Sequence, residues 1–161
     1  MSYLKLLLLV IGIIIVTQSL AYAGVSPVGL TLSELKKAIA NDKDVSTPLE
    51  KGYSSDYRYW ENYGELHAEV QVWISNNKVT KAQWVYGGDS LKTSPGSKRE
   101  FDRLKNEFTK KYGKPILDTR TKDGYVTGWD NNEIAIVLGL ELPTTKYGLP
   151  ILKVIEIVKG T

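Results

Sequence analysis

The sequence predicts an α+β fold: a twisted antiparallel sheet of six to seven strands with two amphipathic helices on one face. Three observations lead there. Two stretches, near 31–41 and 97–112, carry helix caps and an apolar stripe of helical period. Runs rich in Val, Ile, Tyr and Trp follow each of them, punctuated by Asn, Asp and Gly turns. The order is helix and three strands, then helix and about four strands.

The first residues read as a leader. "MSYLK" carries one base, Lys5, "LLLLVIGIIIV" runs eleven apolar residues from Leu6 to Val16, and "TQSLAYA" ends in the small-x-small pattern of Ala21 and Ala23. Charged start, short apolar stretch and A-x-A site are the parts of a secretory signal peptide. The apolar run falls short of the roughly 20 residues that span a membrane; left uncleaved it would serve as an anchor. No cysteine follows it to carry a lipid. Residues 1–23 therefore read as signal peptide and 24–161 as a single α+β domain, periplasmic or secreted after cleavage near Ala23.

"LTLSELKKAIAND" opens the mature fold. Thr31 is a natural N-cap, Glu34 completes a capping box, and Leu30 with Leu35 fits the hydrophobic staple. Leu32, Leu35 and Ile39 share a face with Ala38 beside them; Asn41, Asp42 and the "STP" at 46–48 end the helix.

"YSSDYRYWENYGELHAEVQVW", residues 53–73, places six aromatic rings in twenty-one positions. "YSSDYRYW" reads as one strand, "ELHAEVQVWI" as a second and, after "SNN", "KVTKAQWVY" as a third. A two-residue Asn76-Asn77 loop would set Val72 against Lys81 and Val70 against Gln83. A three-residue loop, Asn76-Asn77-Lys78, sets Ile74 against Thr80, Val72 against Ala82, Val70 against Trp84 and Ala68 against Tyr86. The second register gives one apolar and one polar face and is the one expected, because a one-residue slip turns the core outward. It points Trp73, Gln71, Glu69 and His67 away from the core. Trp84, Trp60 and Trp129 are expected inside. An inward Trp60 would carry Arg58 inward and turn Tyr57 and Tyr59 out, so the facing of the first strand stays open.

"GGDSLKTSPG" reads as a loop and "SKREFDRLKNEFTKKYGKP" as a helix. Ser97 caps, Glu100 completes the box, and Phe101, Leu104, Phe108 and Tyr112 form the stripe. Lys110 and Lys111 suit the negative end of the helix dipole, Gly113 is the C′ residue, and Pro115 stops it. "ILDTRT", "YVTGW", "EIAIVLGLEL" and "ILKVIEIV" then read as an antiparallel meander. A shift of 69 residues lays Leu32 on Phe101, Leu35 on Leu104, Lys36 on Lys105, Ile39 on Phe108 and Trp60 on Trp129, the trace of a degenerate internal repeat.

"GLTLSELKKAI" at 29–39, "FDRLKNEFTKKYGKP" at 101–115 and Trp129 before "EIAIVL" resemble a group of small exported bacterial proteins without assigned function. The tandem helix-plus-sheet layout is similar to beta-lactamase inhibitor proteins and small outer-membrane assembly lipoproteins, which bind proteins. The chain lacks the lipid-bearing cysteine of the latter and the disulfides of the former, so the resemblance implies protein or envelope binding and no particular residues.

The chemistry that the composition allows is narrow. Without cysteine there is no thiolate zinc site, thiol nucleophile or redox pair. The leader holds one base, so the mature chain has 20 Lys+Arg against 18 Asp+Glu, net +2, too balanced to indicate nucleic acid. His67 is the single histidine and there is no GxSxG elbow. Neither a cofactor nor a metal is indicated: "DGYVTGWDNNE" reads as turn chemistry rather than a calcium loop. The basic side of the second helix (Lys98, Arg99, Arg103, Lys105, Lys110, Lys111, Lys114) is interleaved with Glu100, Asp102 and Glu107 and reads as a solvated face. The function expected is a non-catalytic exported binding module for a protein or cell-envelope partner, with Trp73, Tyr57, Tyr59 and Gln71 as the binding patch. The alternative is a hydrolase of an envelope polymer using two of Asp56, Glu61, Glu65 and Glu69.

Overall fold

The computed structural model describes residues 26–159, so the leader reading lies outside the described residues. Helix α1 (Leu32–Asn41) precedes β1 (Glu50–Lys51), β2 (Tyr57–Tyr63), β3 (Leu66–Ser75) and β4 (Lys78–Gly87). A 3₁₀ turn (Asp89–Lys92) leads into α2 (Ser94–Tyr112), followed by β5 (Leu117–Thr121), β6 (Gly124–Asp130), β7 (Ile134–Glu141) and β8 (Ile151–Val158). The α+β class holds, with eight strands in place of six to seven. The added one is β1, whose two residues carry no alternation to read.

The sheet is antiparallel throughout, in the order β1-β2-β3-β4-β8-β7-β6-β5. Each half contributes consecutive hairpin strands, and the halves meet where β8 pairs with β4, Trp84 opposite Val154 and Gln83 opposite Ile155. The 69-residue shift does lay β6 on β2, yet Trp129 faces the core while Trp60 lies on the opposite face.

One face carries the core. Inward residues of the strands, among them Tyr59, Val70, Trp84, Leu138 and Val154, form a single cluster with Leu35 and Ile39 of α1 and Phe101, Leu104 and Phe108 of α2. Both helices thus pack on the same side. Trp129 meets Phe108 edge-on at 5.3 Å and donates its Nε1–H to Gly113 O at 3.1 Å, tying the end of α2 to β6. Gly124 sits at φ +154°, and a Cβ there would lie 1.9 Å from Leu140 O, so only glycine lets β6 approach β7 at that point. Among the described residues no helix is long and apolar enough to cross a membrane.

The caps follow the sequence at α1 and depart from it at α2. At α1 the Thr31 hydroxyl accepts from Glu34 N and the Glu34 carboxylate accepts from Thr31 N. At α2 the N-cap lies four residues before the expected Ser97. Thr93 is the N-cap, accepting from Gly96 N at 3.2 Å, and Pro95 occupies the first turn, where its missing N–H costs nothing. Ser97 is instead buried inside that turn, donating to Leu91 O at 3.1 Å.

The β3–β4 hairpin combines both registers weighed from sequence. The loop has two residues, Asn76 at φ 50° and Asn77 at φ 61°, closing Ser75 on Lys78. A bulge then skips Thr80, so that Ile74 opposes Val79 while Trp73 opposes Lys81. Beyond the bulge the expected pairs appear: Val72 with Ala82, Val70 with Trp84 and Ala68 with Tyr86. Asn-Asn supplies the two left-handed residues of a tight hairpin turn, and the extra residue restores the apolar face.

Candidate functional site

The face of the sheet away from α1 and α2 holds two of the four candidate binding residues, Trp73 and Gln71. Trp73 lies there on β3, half-buried, as its parity demands. Its ring is directly opposite Lys81, whose Nζ stands 4.0 Å from the ring centroid, and its Nε1–H donates to Ser54 O at 3.1 Å. Asp56 accepts from Ile74 N at 2.7 Å, holding the bulge that sets Trp73. Gln71 shares the face, between Arg58 on β2 and Gln83 on β4.

The facing of β2, open in the sequence, goes against the expected inward Trp60. Trp60 is on the outer face, not in the core, and Tyr57 and Tyr59 point inward, so neither tyrosine joins Trp73. Tyr59 is 2% exposed. The physical reason is charge. Facing out, the Arg58 guanidinium reaches Glu69 at 3.3 Å and Glu50 at 3.6 Å and lies over the Tyr53 ring at 4.7 Å. Facing in, it would be buried against apolar side chains, which is far more costly than moving one indole outward.

The outer face of β1–β4 therefore presents two indoles on either side of an ionic clamp, Glu50–Arg58–Glu69. Trp60 has His67 at 6.0 Å between ring centroids. His67 in turn lies over Gly87, where an added Cβ would come within 2.4 Å of its Nε2. Across the β4–β8 seam the same face becomes aliphatic, with Val85, Ile155, Ile157 and Val137 and a shallow groove of about 240 Å³ running past Gly139. Ile157 and Ile151 are 40% and 43% exposed.

The four carboxylates of the hydrolase alternative are dispersed. Asp56 supports the bulge, Glu65 is exposed at the β2–β3 turn, Glu69 is in the outer clamp, and Glu61 is buried on the inner face. Glu61 is 2% exposed and accepts from Trp84 Nε1 at 2.7 Å. Burial pushes its carboxyl up to about 8, against the Trp84 hydrogen bond and with help from Asp42, Asp44 and Glu156. Glu156, missed from the sequence, is equally buried on β8, and burial raises it too while Ser26 Oγ donates to it at 2.5 Å. Its signal was available: in "ILKVIEIV" it occupies the inward parity of Leu152 and Val154. Both acids lie on the inner face of the sheet, each 2% exposed.

Three of the bases of α2 are paired with acids. Lys98 pairs with Asp102, Arg103 with Glu100 and Glu107, and Lys105 with Asp118 at 2.6 Å. The Asp130-Asn131-Asn132 segment is a turn: Asp130 accepts from Asn132 N, Asn131 accepts from Ile134 N, and Asn132 has φ 74°. Among the described residues no three His, Cys, Asp or Glu side chains are gathered as for a metal ion. No family model, curated protein or solved structure matches the chain.

Proposed function

We propose that the chain is an exported, non-catalytic binding module that holds a protein or cell-envelope partner on the outer face of its sheet, acting in the periplasm or outside the cell after cleavage near Ala23. One observation carries the reading: the face opposite α1 and α2 bears Trp60 and Trp73 astride a preformed charge clamp and runs on into exposed aliphatic residues. Flat indoles held by neighbours lose little freedom on binding, and a fixed arginine among them supplies direction. A protein is the partner that best suits this mixture of rings, aliphatics and paired charge. The resemblance of the sequence layout to beta-lactamase inhibitor proteins and assembly lipoproteins implies protein binding as well. The dispersed carboxylates give the hydrolase alternative no pair to work with.

The test is crosslinking capture from the source cell envelope, with the full-length chain, Trp60→Ala and Trp73→Ala as parallel baits. The reading expects one protein captured by the native chain and lost from both variants. Capture that both variants retain removes the outer face from the function. Polymer hydrolysis by the native chain that Glu69→Gln abolishes would replace the reading with the enzymatic one.

A further inference from the structure

The two edges of the sheet are not alike. At the β2 side, the segment after α1 covers the edge: Ser46 N donates to Trp60 O, Asn62 N donates to Asp44 O, and β1 continues the cover. At the other side β5 pairs, among the described residues, only with β6, and all five of its residues are exposed. Alternate residues of such a strand direct their N–H and C=O groups off the sheet, ready to pair with another strand.

The sequence of β5, Leu117-Asp118-Thr119-Arg120-Thr121, is self-complementary when laid antiparallel on itself. A two-fold axis at Thr119 sets Asp118 against Arg120 of the other copy, twice, with Thr119 facing Thr119 and Leu117 facing Thr121. Opposite charges and Thr–Thr pairs directly across a ladder are favourable; like charges there are not. Arg120 has no ion pair among the described residues and rests on the Tyr125 ring at 5.5 Å. Its neighbour Asp118 is fixed on the same side of the strand by Lys105 at 2.6 Å and Thr127 at 2.9 Å. Ile116 and Leu117, 74% and 46% exposed, flank this edge with apolar surface. From this edge we infer that two copies of the chain pair through β5 about an axis at Thr119, joining their sheets into one of sixteen strands. The inference does not rest on the binding reading, although the pairing would set two outer faces side by side.

The chain has no cysteine, so a single Thr119→Cys places one thiol at the axis. Cα atoms opposite each other in an antiparallel pair lie about 4.5–5.5 Å apart, within disulfide range. Under mild oxidation, full-length Thr119→Cys is expected to form a linked dimer at least about tenfold faster than Tyr147→Cys, whose site in an exposed loop is away from the axis. Equal rates for the two variants overturn the inference. In sedimentation, Arg120→Glu and Asp118→Lys are each expected to be folded monomers by circular dichroism, and their mixture to recover the dimer mass. A mixture of the two folded variants that stays monomeric also overturns it.

Discussion

Glu61→Gln keeps an acceptor for the Trp84 indole and removes the charge that the core excludes. Burial holds the Glu61 carboxyl at about 8, against 4.5 for an unperturbed glutamate. Between those values the folded chain binds a proton that the unfolded chain has released, so stability falls as pH rises through the window. The slope approaches 1.4 kcal/mol per pH unit, and the total from pH 4.5 to 8 is about 5 kcal/mol. That is comparable to the whole stability of many small domains. Glu156, also raised by burial, adds to the slope in the same direction. Urea unfolding followed by tryptophan emission, at half-unit steps from pH 4.5 to 8.5, measures it. The native chain is expected to lose stability steadily. Glu61→Gln is expected to match it within about 1 kcal/mol at pH 4.5 and to exceed it at pH 8, leaving the shallower slope of Glu156. A native curve that rises from pH 5 to 8, or a Glu61→Gln curve parallel to it, would refute the placement of a neutral carboxyl in the core.

Other outcomes follow from single contacts. Trp84→Phe removes the donor to Glu61 and is expected to cost about 2 kcal/mol or more, with a smaller loss when Glu61 is first replaced by leucine; unfolding midpoints of the four chains give the coupling. Asp56→Ala frees the N–H of Ile74 at the bulge and is expected to cost about 1 kcal/mol and to shift Trp73 emission to the red. Asn77→Gly suits the left-handed second position of the hairpin turn better than asparagine and is expected to raise the melting temperature slightly, whereas Asn77→Val lowers it.

Where contacts are local, the sequence carried the structure. The capping box at Thr31, the stripe of α2, the strand bounds from Ile151 to Val158 and the register of Val70 on Trp84 all rest on periodicity or turn chemistry within a few residues. The hairpin loop differs from the expected one because a bulge at Thr80 is invisible to pattern: a two-residue turn plus one extra residue and a three-residue turn leave the same apolar face. Helix α2 starts early because Thr93 and Pro95 are as good a beginning as Ser97 and Glu100, and only the burial of Ser97 separates them.

The candidate site was legible on β3 and illegible on β2. Trp73 and Gln71 follow from the apolar alternation Ala68, Val70, Val72, which leaves one facing. In "YRYWENY" both parities carry rings and charge, and what decides between them comes from distant strands: Glu69 and Glu50 hold Arg58 outside, Trp84 holds Glu61 inside. Tyr59 therefore belongs to the core and Trp60 to the outer face, the reverse of what ring size alone suggests.

The role of the outer face is tested most directly by a photoreactive residue placed at position 73 and, separately, at position 37 on the exposed side of α1, in full-length chains expressed in the source cell. Irradiation is expected to give a discrete adduct from position 73 and none from position 37. An adduct from position 37 with none from position 73 would contradict the assignment and move the partner to the helical side.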